Sequence, residues 1–582
     1  MTTGYLCDYA AISWQDGAPY SPTYGDIYWH RDGALAEKQQ VFIRPLQALA
    51  DSLPPKSQLT VCELGFGFGI NCLLAADVWQ DLPADRQLNF ISVEKHPVAP
   101  AVLQQLLDQY PFSAADSLLH HYPTPFVGQH VIWLAKNVRL VLLLDDVESA
   151  LAGLDARVDL WFLDGFAPAR NDAMWQQILF RQMFARSRPG ARVATYSAAG
   201  HVRRSLEASG FVTEKIAGFS HKKEMLQATR PGTWQAAAHD CGSTLVIGGG
   251  IAGHYCAEAL SRRGAEVTVI DSGGPAASKI PQLTVKPQLA VQPESRYRFS
   301  LLACRYMQDS AGFHRAPIRW RGQTEEECER LRKIAALFPD DIIEGGDNEI
   351  ILHQAGWLSY HDLVREPKYN RLSGLITALE RQPDSWIIMT DAGLRYEADN
   401  VVLATGSNRS LLDQALQVRA IRGQALSVNT RRQREILTAE VTVFPTVQGR
   451  SVVSGTYARA DNIDVDPAET ETLLAGARQM LELNGTDIEI HVGIMAVSRD
   501  RLPVIGAIPD PEALKAANKV TEIRTFVPGL YYCTAFGSRG ATHARLCAEQ
   551  VVSGMLNEPA ALELKQQAML SPARFHLRDR HD

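Results

Sequence analysis

Two glycine clusters of different spacing constrain this 582-residue chain more than any other feature. In ELGFGFGIN (63–71), Gly65, Gly67 and Gly69 stand two apart, with Glu63 ahead and Asn71 behind. In LVIGGGIAG (245–253), Gly248, Gly250 and Gly253 are spaced GxGxxG. Each cluster follows a short apolar run and precedes an apolar-periodic stretch, so each predicts strand–turn–helix. Unequal spacing means two different α/β folds rather than a duplication. PGTWQAAAHDCGS (231–243) has Pro, Gly and small residues without periodicity and reads as a connection. The expected division is 1–235, a linker at 236–243, and 244–582.

The first half continues as alternating strand and helix signals. QLNFISVEKH is expected to be a strand ending at Glu94, VRLVLLLDD one ending at Asp145 and Asp146, and VDLWFLDG one ending at Asp164. Near-continuous apolar runs suit a parallel sheet covered on both faces, where ligands sit beyond the carboxyl ends of the strands. The glycine spacing is not that of a dinucleotide fold. It suits S-adenosylmethionine, which has an amino-acid end, a ribose and an adenine but no phosphate. Glu94 is expected at the ribose hydroxyls and Asp145 or Asp146 at the adenine amine. Asp164, before Gly165 and the lip Phe166–Ala167–Pro168, is the expected reacting carboxylate: it would orient an amine and take its proton.

In the second half, 243–273 reads as a βαβ unit, with Asp271 23 residues after Gly248. The helix start suits a pyrophosphate and the acid a ribose hydroxyl. NVVLATGSN (400–408), with Gly406, and GLYYCTAFGSRGATHARLCAEQVV (529–552), with Gly537 and Gly540, favour FAD over NAD. The stretch between looks like an inserted substrate domain. His361 and His543 read as ordinary polar residues.

Composition narrows the classes. Lys and Arg number 58 against 65 Asp and Glu, a net charge of −7, so nucleic-acid binding would need a local basic face. Residues 161–230 are the candidate, with eleven basic residues against five acidic, and a solvated basic face is the alternative reading. No apolar run of membrane-spanning length occurs, the start MTTGYLCDYAAISWQDG lacks a signal-peptide pattern, and the nine Cys show no metal-binding spacing. A cytoplasmic protein without metal or membrane contact, and a monomer, is expected.

WFLDGFAPARNDAMW (161–175), AGHVRRSLEASGF (199–211), GFSHKKEML (218–226), SRDRLPVIG (498–506) and FGSRG (536–540) complete a pattern. With them the chain resembles the bifunctional tRNA 5-methylaminomethyl-2-thiouridine biosynthesis proteins over nearly its whole length. The resemblance implies a Rossmann-like class I methyltransferase domain, then an FAD-binding Rossmann-type oxidoreductase domain with an inserted α+β subdomain. It implies S-adenosyl-L-methionine and FAD as cofactors and tRNA, at the wobble uridine of the anticodon loop, as partner. The flavin half would convert 5-carboxymethylaminomethyl-(2-thio)uridine to the 5-aminomethyl form, and the first half would methylate that amine. Phe166, Pro168, Arg203, Arg204, Lys222, Lys223, Arg499 and Arg539 are the implied substrate contacts. Four residues at three places depart from the family pattern. Lys279 and Ile280 replace a Gly-Asn step, Lys286 replaces the aromatic residue before Pro287, and Met495 replaces an arginine suited to clamping a carboxylate. The competing expectation is an aminomethyluridine methyltransferase whose flavin-like half is an impaired scaffold. A third is an amine oxidase fused to a small-molecule N-methyltransferase.

Overall fold

The computed structural model describes residues 4–15, 17–29, 34–218, 224–459 and 463–578. The chain forms two compact units, Met1–Asp240 with Leu556–Leu564, and Cys241–Met555 with Lys565–Asp582. The change of unit at 240/241 falls inside the expected linker. The return of 556–564 to the first unit was not foreseen.

The first unit is built on β1 (Ser57–Leu64), α1 (Ile70–Gln80), β2 (Arg86–Glu94), β3 (Gly128–Ala135), β4 (Val138–Leu144), α2 (Val147–Gly153), β5 (Val158–Leu163), β6 (Ser187–Thr195), α3 (Gly200–Ala208), β7 (Val212–Ala217) and β8 (Glu224–Thr229). The strand order is β7-β8-β6-β5-β1-β2-β4-β3. The five inner strands β6, β5, β1, β2 and β4 run parallel. Every residue of β1, β4 and β5 is buried, as their apolar runs require. Phe162 of β5 packs between Phe42 and Phe90, at ring distances of 5.1 and 6.0 Å. Burying each such ring contributes about 1.5–3 kcal/mol. Leu64 pairs with Leu163, so Gly65 and Asp164 leave the sheet side by side. β4 stops at Leu144 rather than at the aspartates, because Asp146 turns to cap α2, accepting from Ser149 N at 3.1 Å. Ahead of this sheet lies a small three-stranded one, Ser13–Gln15, Ala18–Ser21 and Asp26–Ile27.

The second unit contains β9 (Ser243–Ile247), α4 (Ile251–Arg262), β10 (Glu266–Asp271), β11 (Asn370–Ser373), β12 (Asn400–Leu403), β13 (Arg419–Thr430), β14 (Leu483–Val497), β15 (Val504–Pro509), β16 (Phe526–Thr534) and α5 (Gly540–Met555). A six-stranded sheet has the order β11-β10-β9-β12-β16-β15. The inserted subdomain is an eight-stranded sheet in which β13 and β14 pair antiparallel along most of their length.

The segment 556–564 is tied into the first unit by buried polar groups. Arg139 lies 3.7 Å from Glu558 with both side chains fully buried, and donates to Pro559 O at 2.8 Å. His239 meets the other Glu558 oxygen at 2.9 Å. Removing one member of a buried pair strands the other's charge, at about 3–5 kcal/mol. Glu558→Ala is therefore expected to lower the thermal unfolding midpoint of the first unit, read by calorimetry, and to leave the second unit's transition in place.

Candidate active sites

In the first unit a cavity of about 520 Å³ opens at the carboxyl ends of β1, β2, β4 and β5. The glycine turn shapes its floor. Gly65, Gly67 and Gly69 have φ of 98°, 53° and 72°, a conformation that favours glycine. A Cβ on Gly69 would stand 2.6 Å from the Phe66 ring. Glu94 fixes this turn, accepting from Gly67 N at 2.9 Å and His96 N at 2.8 Å, and burial pushes its pKa up.

Two further acids stand behind one amide. Asn71 Nδ2 donates to Glu63 Oε1 at 2.8 Å and to Asp164 Oδ2 at 2.7 Å. Ser92 Oγ donates to the other Glu63 oxygen at 2.6 Å, and Lys38 Nζ reaches Asp164 Oδ2 at 2.5 Å. Burial, and then the Asp164 charge, push Glu63 up to about 8, so it holds its proton at neutral pH. Asn71 Oδ1 is buried without a hydrogen-bond partner and lines this cavity with its residue. An acceptor left over beside carboxylates suits the ammonium of an amino-acid end, so these residues fit S-adenosylmethionine.

The cavity's other wall is aromatic. Phe166 stacks on Tyr24 at 4.8 Å and meets Tyr28 edge-on at 5.0 Å. Asp26 accepts from Ala167 N at 3.0 Å, and Tyr196 donates to Gly165 O at 2.6 Å, which holds the lip in place. Tyr24, Asp26, Tyr28 and Lys38 were not anticipated. They come from the first 40 residues, where the only sequence signal is the run YGDIYW.

In the second unit two cavities of about 350 and 210 Å³ share Gly250, Ala276 and Ser278 as walls. The larger reaches Asp271, whose carboxylate accepts from Gly249 N and, at 2.6 Å, from Gly273 N. A Cβ on Gly253 would lie 1.8 Å from Gly248 O, so only glycine lets α4 start this close to β9. The smaller cavity is lined by Gly406, Gly537, Gly540, Ile280, Met495 and Tyr457, among others. A glycine cradle at a helix start, an acid at the next strand end and a cavity continuing inward fit FAD.

Other expected residues scatter. Pro168 is off the first cavity's wall, with Ala167 in its place. Arg203 and Arg204 lie exposed on α3, and Arg203 is 3.9 Å from Glu207. Lys222 and Lys223 lie outside the described residues. The basic stretch is thinner than its count. Arg186 is spent on Leu154 O at 3.0 Å, Arg230 on Phe184 O at 3.2 Å, and Arg188 on Asp159 at 3.5 Å. Arg499 is exposed and does not line the flavin cavity, and its neighbour Asp500 is held by Arg574 at 2.9 Å. Lys279 lines the larger cavity and donates to Gly273 O and Gly274 O, at 2.9 and 2.8 Å. His543 is buried against Ser300 at 2.9 Å and burial pushes it down to about 3, so it stays neutral.

Comparison with known proteins decides the family. A model described as S-adenosyl-L-methionine-dependent methyltransferase matches residues 111–231, one described as NAD(P)-binding Rossmann-like domain matches 246–281, and one described as FAD dependent oxidoreductase matches 318–553. The tRNA 5-methylaminomethyl-2-thiouridine biosynthesis bifunctional protein of Chromobacterium violaceum is 32% identical, covering 98% of this chain and 98% of its own. That of Maricaulis maris is also 32% identical, over 98% of this chain and 97% of its own. The chain belongs to this family. It is a bifunctional enzyme with a methyltransferase half that uses S-adenosylmethionine and an oxidoreductase half that uses FAD. Among solved structures, iminodiacetate oxidase from Chelativorans sp. BNC1 aligns with a TM-score of 0.45 and 17% identity, over 56% of this chain and 99% of that one. Among the described residues no helix is long and apolar enough to cross a membrane.

Glu63 gives a test by pH. Folding raises this acid from the usual 4.5 to about 8, so between these values the folded protein holds a proton that the unfolded chain has released. Stability therefore falls as pH rises through that window. Glu63→Gln is expected to remove part of that fall, read as a flatter dependence of the unfolding midpoint on pH.

Proposed function

We propose that the two halves act in turn on the wobble uridine of tRNA in the cytoplasm, and that Asp164 is the group that readies its amine for methylation. The FAD half converts the 5-carboxymethylaminomethyl substituent to 5-aminomethyl, and the other half methylates the resulting nitrogen. The observation that carries the reading is the Asp164 carboxylate, held by Asn71 at 2.7 Å and already in contact with an alkylammonium, Lys38, at 2.5 Å. A substrate aminomethyl group presents the same chemical head.

An amine with pKa of ~10.4 is neutral in only about one part in 2,500 at pH 7, a cost of about 4.6 kcal/mol. Asp164 exchanges Lys38 for the substrate ammonium, orients it and accepts its proton, directly or through water. Glu63, which keeps its own proton, leaves Asp164 as the ionised member of the pair. Asn71 holds the carboxylate's direction. Phe166, backed by Tyr24, supplies a flat face for the uracil ring. Glu94 and Asp145 or Asp146 hold the ribose and adenine of the methyl donor. Arg203 and Arg204, exposed on α3, take the RNA backbone. In the other half, Gly248, Gly250, Gly253 and Asp271 hold the dinucleotide, and Gly406, Gly537 and Gly540 its inner end. Bound FAD supplies the two-electron acceptor for the C–H bond beside the secondary nitrogen.

Asp164→Asn is expected to cut methylation of aminomethyluridine tRNA by roughly 10²–10⁴-fold while S-adenosylmethionine binding, measured by calorimetry, stays close to wild type. Methylation near the wild-type rate would sink the assignment. A second reading, a flavin half that is only a scaffold, draws on Met495 in the cavity wall where the family pattern has an arginine. The two separate on the purified protein. The main reading expects a yellow flavin spectrum bleached by carboxymethylaminomethyl tRNA. The scaffold expects no bleaching and accumulation of the carboxymethylaminomethyl nucleoside in tRNA from cells that depend on this chain.

A further inference from the structure

The smaller cavity of the second unit has three aromatic residues in its wall, Phe444, Phe536 and Tyr457. Phe444 and Phe536 are buried, whereas Tyr457 is 66% exposed. Among the described residues the Tyr457 ring pairs with no other ring, and its hydroxyl makes no hydrogen bond. The backbone imposes this exposure. At Gly455, with φ of 154°, the chain leaves the strand Arg450–Ser454. The residues on either side of Tyr457 are then locked onto β13. Thr456 Oγ1 accepts from Gln424 N at 2.8 Å and donates to Gln424 O at 3.3 Å. Ala458 and Arg422 exchange both backbone hydrogen bonds, at 2.9 and 2.8 Å. The Arg422 side chain is itself buried, donating to Asp464 O at 2.7 Å and to Glu469 at 2.8 Å. Tyr457 is thus held out on a fixed support, and a ligand that uses its ring does not have to order the chain first. Residues flanking an antiparallel bridge leave the chain on the same side, so the exposed Arg459 follows Tyr457 on that face.

Size and charge say what suits this mouth. The cavity measures about 210 Å³, below the ~300–1,000 Å³ that encloses a drug-sized ligand. It has no room for a nucleobase beside a flavin ring, so a base whose substituent reaches inward stays at the mouth. Among the described residues no charged side chain lines the wall. Arg539, expected at the substrate, lies between the wall residues Ser538 and Gly540 without lining the cavity itself. What the mouth offers a nucleotide is therefore a flat aromatic face with a cation two residues along. A base drawn out of an RNA loop loses its stacking neighbours and regains one on such a ring. We propose that Tyr457 is the stacking platform for the wobble uracil in the oxidoreductase half, with Arg459 meeting an adjacent phosphate. The inference rests on the proposed oxidation of the wobble substituent and names the residue that positions its base.

The test is a double-mutant cycle between side chain and base. Anaerobic equilibrium binding to the FAD-loaded protein is measured with the flavin reduced beforehand, so that no oxidation occurs. The two ligands are carboxymethylaminomethyl tRNA and the same tRNA with an abasic wobble nucleotide. Tyr457→Ala is expected to weaken the first by roughly tenfold or more, the worth of stacking one base, and to leave the second unchanged. Tyr457→Phe is expected to bind both as wild type does, with FAD content unchanged in both variants. Arg459→Ala is expected to weaken both tRNAs alike and to lower the salt dependence of binding by about one charge. Equal affinity of wild type and Tyr457→Ala for the carboxymethylaminomethyl tRNA overturns the platform. A loss that the abasic tRNA shows in full overturns it too, because the contact is then to the RNA backbone. So does a Tyr457→Phe loss as large as that of alanine, because the hydroxyl then makes the contact. Any of these results in a protein whose oxidised flavin this tRNA bleaches defeats the platform alone. A wild-type flavin that it fails to bleach defeats the proposed function, and the platform with it.

Discussion

The first active site depends on two carboxyl groups placed behind one amide. Glu63 and Asp164 leave neighbouring parallel strands, and Asn71 donates to both, at 2.8 and 2.7 Å. Two ionised carboxylates this close repel, and burial worsens the cost. The arrangement settles by division of charge. Glu63, fully enclosed, keeps its proton, and Asp164, at the cavity edge with Lys38, carries the negative charge. Of this pair, only Asp164 lines the cavity, among the other acids of its wall. The strand register makes it possible: Leu64 opposite Leu163 brings Gly65 beside Asp164, where a Cβ on Gly65 would lie 3.3 Å from the Asp164 carbonyl.

Much of this was legible in the sequence because it depends on local pattern. Apolar runs ending in acids located β1, β2, β4 and β5, and the acids stand at or just past the strand ends. Both glycine turns were legible for the same reason, since positive φ and close approach leave few alternatives to glycine. What was not legible depends on long-range contact. Lys38 meets Asp164 across 126 residues, and no spacing rule links them. Tyr24 and Tyr28 reach Phe166 from a small sheet that carries no motif. Glu558 lies more than 400 residues from Arg139 and belongs to a segment that reads as a tail of the second half. Charge counting overstates the basic face. Of the eleven basic residues in 161–230, Arg186, Arg188 and Arg230 are consumed by carbonyls and a buried aspartate inside the fold.

The two halves use glycine for different ends. In the first, Gly65, Gly67 and Gly69 let a turn fold back so that Glu94 can bind its amides. In the second, Gly248 and Gly253 bring strand and helix into contact, and the helix start is left facing open space. A sulfonium donor without phosphates needs no helix end aimed at it, whereas a pyrophosphate does. The spacing difference that first separated the clusters is thus a difference in which ligand charge the backbone must meet.

The proposed order of reactions sets an acid-lined cavity against one without charged walls. The first cavity is walled by Asp26, Glu37, Glu94, Asp145 and Asp164, with Lys38 held on the last. The smaller cavity of the second unit is lined, among the described residues, by uncharged side chains such as Gln424, Phe444, Met495 and Phe536. A carboxymethylamino group carries an anion at its tip, which the acid-lined cavity repels. The proposed oxidation removes that tip and leaves a plain ammonium, which the same acids attract. The proposed order then needs no gate or signal, because removing one carboxylate is what fits the substrate to the first cavity.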